Sequence, residues 1–139
     1  ALELARRMLG RPFALTGEVV RGDGRGRQMR FPTANVSADN ELLPRAGVYV
    51  TETLALAARY PSVTNVGVRP TFGGKILTVE THLFDFDRDI YDEEVRLYFH
   101  RRIRGTVKFD TIEALEARLR ADRDEALRFF AEPGRNLVG

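Results

Sequence analysis

The chain has no cysteine, which excludes disulfides and thiolate metal sites at the outset. Histidine is scarce too: His82 and His100 are the two present, too few and too far apart for a histidine-rich metal cluster. No apolar run approaches the roughly 20 residues needed to cross a bilayer, and no signal peptide opens the sequence. The expectation is a cytoplasmic protein with no membrane segment. Its 139 residues suit one ordinary domain, large enough to bury a core without covalent staples.

Lysine is also rare, limited to Lys75 and Lys108, so arginine carries nearly all the positive charge. The formal net charge is only +2, too small for the molecule as a whole to act as a polyanion sponge. The charge is uneven, however: five arginines lie between Arg11 and Arg30, against Glu18 and Asp23. Such a loop attracts a small phosphate ligand as readily as nucleic acid.

Residues 1–10, with the apolar and basic segment Leu2 to Leu9, read as a linker or the tail of a preceding domain. Residues 11–139 read as the domain itself. From Phe13 the pattern is β: Phe13, Leu15 and Gly17 alternate with Ala14, Thr16 and Glu18. Val48 to Leu56 and Ser62 to Val68 read as further strands. Leu77, Val79, Thr81 and Leu83 alternate with Thr78, Glu80, His82 and Phe84, and Val95, Leu97 and Phe99 repeat the period. Short strands separated by Gly, Pro and Asp turns imply a sandwich or barrel. Near the end the period changes. Asp110 with Glu113 fits a helix N-cap, and Ile112, Leu115 and Leu119 recur at helical spacing, continued by Ala126, Phe129 and Phe130 until Pro133-Gly134. This amphipathic helix is expected to cover one side or mouth of the barrel.

Three segments carry potential chemistry. Gly22-Asp23-Gly24-Arg25-Gly26-Arg27 follows a strand, and alternate glycines let backbone N–H groups approach an anion closely. A plain hairpin loop explains the same residues, and no P-loop or dinucleotide fingerprint is present. In Phe31-Pro32-Thr33-Ala34-Asn35 an extended chain puts Thr33 and Asn35 on one face, as hard oxygen ligands for magnesium beside a nucleotide. An Asn-containing turn is the alternative. In Val79-Glu80-Thr81-His82-Leu83-Phe84-Asp85-Phe86, Glu80 faces away from the apolar side of its strand. A carboxylate there can take the proton of an attacking hydroxyl, or simply face solvent.

In this order, and together with Asn65-Val66-Gly67-Val68-Arg69-Pro70-Thr71-Phe72-Gly73 and Lys108-Phe109-Asp110, these segments resemble the riboflavin kinase family. The likeness runs from about Gly10 to Ala131, and is to the kinase module of bacterial bifunctional riboflavin kinase/FAD synthetases. It implies a mainly β fold, a six-stranded antiparallel Greek-key-type barrel with a C-terminal α-helix. It implies transfer of the γ-phosphoryl group of ATP to the ribityl 5′-hydroxyl of riboflavin, giving FMN and ADP. Carried over, the family's magnesium ligands fall on Thr33 and Asn35, and its catalytic base on Glu80. The nucleotide flap falls on Gly22, Gly24, Gly26 and Arg27, and the flavin side includes Arg104 and Phe109. The implied partners are ATP and riboflavin, without nucleic acid or membrane, and an N-terminal FMN adenylyltransferase domain in the full-length protein. Nothing here resembles that second domain, so the product expected of this chain by itself is FMN.

One departure stands out, Met29-Arg30 where the family usually has Leu-Gly, which removes access to positive φ in the loop. Two other readings keep the barrel. An OB-like nucleic-acid binder would use the Arg21 to Arg30 loop for phosphates and Phe84, Phe86 or Tyr98 for stacking. A flavin-binding regulator would keep the pocket without turnover.

Overall fold

Strands with one wet and one dry face must stack or curl to bury the dry one, and here they curl. The computed structural model describes residues 13–20, 34–38, 44–86, 88–106 and 108–132. Its strands are β1 (Phe13–Val20), β2 (Ala34–Ala38), β3 (Gly47–Ala55), β4 (Ala58–Thr71), β5 (Gly74–Leu83) and β6 (Glu94–Arg104). They close in the order β1-β2-β5-β4-β3-β6, every neighbour antiparallel. Consecutive β3, β4 and β5 form a meander and β6 returns beside β3, which is a Greek key. Helix α1 (Ile112–Ala131) follows. The expected barrel and its C-terminal helix are both present.

Alternation explains the interior. On β1, Leu15 and Val19 are buried while Thr16, Glu18 and Val20 face outward. Val36, Val66, Val79, Leu97 and Phe99 complete the same cluster from the other strands. Gly17 is required by close approach: a Cβ there would lie 2.5 Å from the Ser37 carbonyl oxygen and 2.7 Å from Val36 Cγ1. β3 breaks the one-face rule, being buried along nearly all its length. Its outward Val48 and Val50, with Val63 and Phe84, pack beneath Ala126 and Phe129 of α1. That second cover is why β3 is buried on both faces, with β-branched Val48, Val50, Thr51 and Thr53 along it.

The interior is not wholly apolar. Thr53, Ser62, Thr51, Thr64 and Thr81 form a buried chain of hydroxyls, with successive O···O distances of 2.8, 2.7, 2.8 and 3.0 Å. A hydroxyl both donates and accepts, so such a chain satisfies its members in turn and fixes the relative register of β3, β4 and β5.

Several local features differ from the sequence expectations. β4 starts four residues before Ser62 and runs to Thr71. The β3–β4 hairpin turns on Leu56 and Ala57, at φ 50° and 65°, rather than on a glycine or asparagine. The N-cap of α1 is Thr111, not Asp110: the Ala114 N–H donates to the Thr111 hydroxyl at 3.0 Å, so the helix begins one residue later. Ile112 is exposed, and the buried stripe sits in the second half of the helix at Asp122, Ala126 and Phe129.

Tyr49 is buried in the barrel core, its hydroxyl donating to the Arg45 carbonyl. Burial raises its phenol above the usual 10.0, with Arg102 opposing the shift. Stability is therefore complete below pH 10 and falls as pH rises from there through the folded-state value, where the unfolded chain releases the proton first. Tyr49→Phe is expected to flatten that alkaline loss in pH-dependent urea unfolding, at a cost of about 1 kcal/mol near neutrality for the lost hydrogen bond.

Candidate active site on the outer face

Val79 and Thr81 both point into the barrel, so Glu80 between them lies on the outer face, where it is half-buried. Its two cross-strand partners are Asn35 on β2 and Asn65 on β4. Directly opposed residues hold their Cβ atoms about 4.5–5.5 Å apart. Glu80 therefore stands between two carboxamides within side-chain reach. The register continues from Asn65 to Val48 on β3 and from Val48 to Arg104 on β6. Asn35, Glu80 and Arg104, far apart in sequence, thus belong to one row around the barrel. Three strand spacings separate Glu80 from Arg104, roughly 14 Å measured along the surface.

Next along the same face, Gly67 opposes Thr78. A Cβ on Gly67 would sit 3.0 Å from the Thr78 Oγ1, so a larger residue would crowd the hydroxyl beside Glu80. His82 shares this face and is half-buried, its ring centroid 5.5 Å from that of Phe84.

The far end of the row is anchored in α1. Arg104 Nε donates to both carboxylate oxygens of Asp122 at 3.1 and 3.2 Å, and Nη2 donates to Oδ2 at 2.7 Å. Nη1 donates to the Gly105 carbonyl at 3.0 Å. The guanidinium carbon lies 5.9 Å from the centre of the Phe109 ring, which brings Arg104 and Phe109 together. Two β-bulges precede Arg104, shifting the β3–β6 register between Val48 and Tyr49 and between Val50 and Thr51. They place Arg102 opposite inward Tyr49 and Arg104 opposite outward Val48, where strict alternation from Phe99 would have put Arg101 and Ile103 inside.

Thr33, Gly22, Gly24, Gly26, Arg27 and Arg30 lie outside the described residues. Asn65 and Asp122 carried no assigned role in the sequence reading. Asn65 left one signal, a polar residue on the outward parity of its strand. Asp122 left a better one, a carboxylate at the stripe position between Leu119 and Ala126.

The rings considered for nucleic-acid stacking are otherwise engaged. Phe84 is buried beneath α1 with the Arg123 guanidinium 5.5 Å from its centre. Phe86 meets Tyr60 edge-on at 4.8 Å, and Tyr98 is flanked by Arg59 and Arg96. Among the described residues, no helix is long and apolar enough to cross a membrane.

Comparison with known proteins places this geometry in context. The family model for riboflavin kinase (Flavokinase) matches residues 9–130. The bifunctional riboflavin kinase/FMN adenylyltransferase of Bacillus subtilis strain 168 is 37% identical over 134 residues, 94% of this chain and 42% of that protein. The protein of the same description from Escherichia coli K12 is 39% identical over 130 residues, 93% of this chain and 42% of its own length. The chain thus spans about two fifths of these relatives. A riboflavin kinase structure from Trypanosoma brucei superposes with a TM-score of 0.67 at 26% identity, covering 88% of this chain and 82% of that one. A Streptococcus pneumoniae structure described as a macrolide-efflux protein gives a TM-score of 0.86 at 36% identity, covering 90% of this chain and 41% of that one.

Proposed function

This chain belongs to the riboflavin kinase family, and we propose that it transfers the γ-phosphoryl group of ATP to the terminal ribityl hydroxyl of riboflavin, giving FMN and ADP. The observation that carries the proposal is the outer row itself. It sets a carboxylate beside an oxygen-donor amide at one end and an arginine against an aromatic ring at the other. A substrate with a reactive hydroxyl on a flexible tail and a flat ring system at its far end suits that separation.

Phosphoryl transfer asks a protein mainly for positioning and charge neutralisation. In the proposed mechanism Glu80 accepts a hydrogen bond from the ribityl hydroxyl, aims it at the γ-phosphorus and takes its proton late in the transfer. The amide oxygen of Asn35 and the hydroxyl of Thr33 are neutral, hard donors, a set that fits a magnesium ion already facing phosphate anions. Magnesium, when bound with the nucleotide, neutralises charge on the phosphates. Backbone N–H groups of Gly22, Gly24 and Gly26, with Arg27, would cover the nucleotide. Arg104 and Phe109 would receive the flavin ring. Residues 1–10 would be a linker or the tail of a preceding domain and 11–139 the kinase domain, in a cytoplasmic setting. Fusion to an N-terminal FMN adenylyltransferase domain is supported by the names and lengths of the relatives.

Incubation with riboflavin, ATP and Mg²⁺, followed by chromatography, is expected to yield FMN and no FAD. Absence of FMN would overturn the proposal. Thr33→Ala is expected to raise the Mg²⁺ concentration giving half-maximal activity by about 10-fold or more, the scale on which metal sites respond to lost support. An unchanged magnesium titration would remove Thr33 from the ligand set.

A further inference from the structure

We infer that Asp122 is the positioning residue of the acceptor end of the site: from the seam between helix and barrel it holds the Arg104 guanidinium in the plane that presents its face, with Phe109, to a flat ring. The inference rests on the kinase reading above and deepens it.

The side chain of Asp122 is 1% exposed and that of Arg104 13%. Arg104 spends its donors along its edge: Nε and Nη2 on the carboxylate, Nη1 on the Gly105 carbonyl. What such a group offers a ligand is chiefly its face, and its central carbon stands over the Phe109 ring, 5.9 Å from the ring centre. A guanidinium held this way receives a planar, delocalised ring by stacking. An unsupported arginine side chain is flexible, and a carboxylate engaging two of its nitrogens removes rotation about the terminal bonds.

Stability alone does not account for the pair. A buried ion pair is usually no more stabilising than an apolar pair of the same volume, because desolvation offsets the Coulomb attraction. Apolar residues already surround this seam, at Val48, Ile103 and Ala126. Arg118 approaches Asp122 at 3.4 Å, but its side chain is 44% exposed and it lies one helical turn away on the same helix. It balances charge without linking helix to strand. Among the described residues the Arg104 contact is the ion pair that ties α1 to the row containing Glu80, beside the apolar packing of Val48. Small movements of the helix therefore reach the ring-binding end directly.

The test uses wild type, Asp122→Asn, Arg104→Met and the double variant Arg104→Met/Asp122→Leu. FMN formation and riboflavin binding, followed by quenching of flavin fluorescence, are measured separately. Asp122→Asn is expected to raise the riboflavin KM and Kd by about 10-fold or more, as misplaced binding groups do, with kcat and the ATP KM held. The double variant removes both charges together and is expected to melt near wild type while binding riboflavin as weakly as Arg104→Met. If Asp122→Asn binds riboflavin like wild type while Arg104→Met does not, the positioning role is overturned. The same holds if the stable double variant binds normally. If wild type binds riboflavin but forms no FMN, the kinase reading fails while the binding comparison still decides this one.

Discussion

Replacing Glu80 with glutamine is expected to lower turnover by about 10²–10⁴, the usual contribution of a positioned general base, and to leave ATP binding intact. Glutamine keeps the shape and one carbonyl oxygen, so hydrogen bonding to a hydroxyl survives while proton acceptance does not. The site of the substitution makes the result interpretable. Glu80 lies on the outer face, opposite Asn35 and Asn65, and takes no part in the barrel interior formed by Val79, Thr81 and their neighbours. The melting temperature should therefore hold while kcat falls. Turnover within a few-fold of wild type would remove Glu80 from the base role. A parallel drop in melting temperature would instead mark it as a structural residue.

Phe99→Ala is expected to destabilise the fold by about 3–5 kcal/mol, the cost of emptying a large aromatic site in a core that collapses only partly. Phe99 is 1% exposed and meets two rings edge-on, Phe13 at 5.8 Å and Tyr49 at 5.2 Å. It stands opposite Phe13 on β1 and Thr51 on β3, so it joins three strands at once. A loss of this size lowers the melting temperature by roughly 10 °C or more in a domain of this length. Phe99→Leu, which keeps most of the volume, should cost about 1.5 kcal/mol or less. If the two variants unfold at the same urea concentration, packing at this position is not what closes the barrel.

The chemistry of the row was more legible than its assembly. The outward direction of Glu80 follows from the alternation of Val79, Thr81 and Leu83, and needed no neighbours to establish it. That Asn35 and Asn65 flank it depends on which strands pair and in what register, and no local pattern encodes either choice. The β3–β4 hairpin was hidden for a different reason. Leu56 and Ala57 adopt positive φ without the residues that normally advertise such a turn, so the surrounding ladder imposes the conformation. At the helix start, Asp110 and Thr111 are both good caps by residue type, and the hydrogen bond to Ala114 N selects the second.

The sequence by itself determined the strand-rich class, the helix after it, and the inward or outward direction of most side chains on β1 and β5, because a period of two or of 3.6 is a local property of the backbone. The tertiary structure decided the order of strands around the barrel and the second buried face of β3. It also decided the bulges that set Arg104 rather than Arg102 opposite Val48, and the meeting of Arg104 with Asp122 and Phe109. Those depend on contacts between residues remote along the chain, whose free energy exists only once the barrel has closed and the helix has docked.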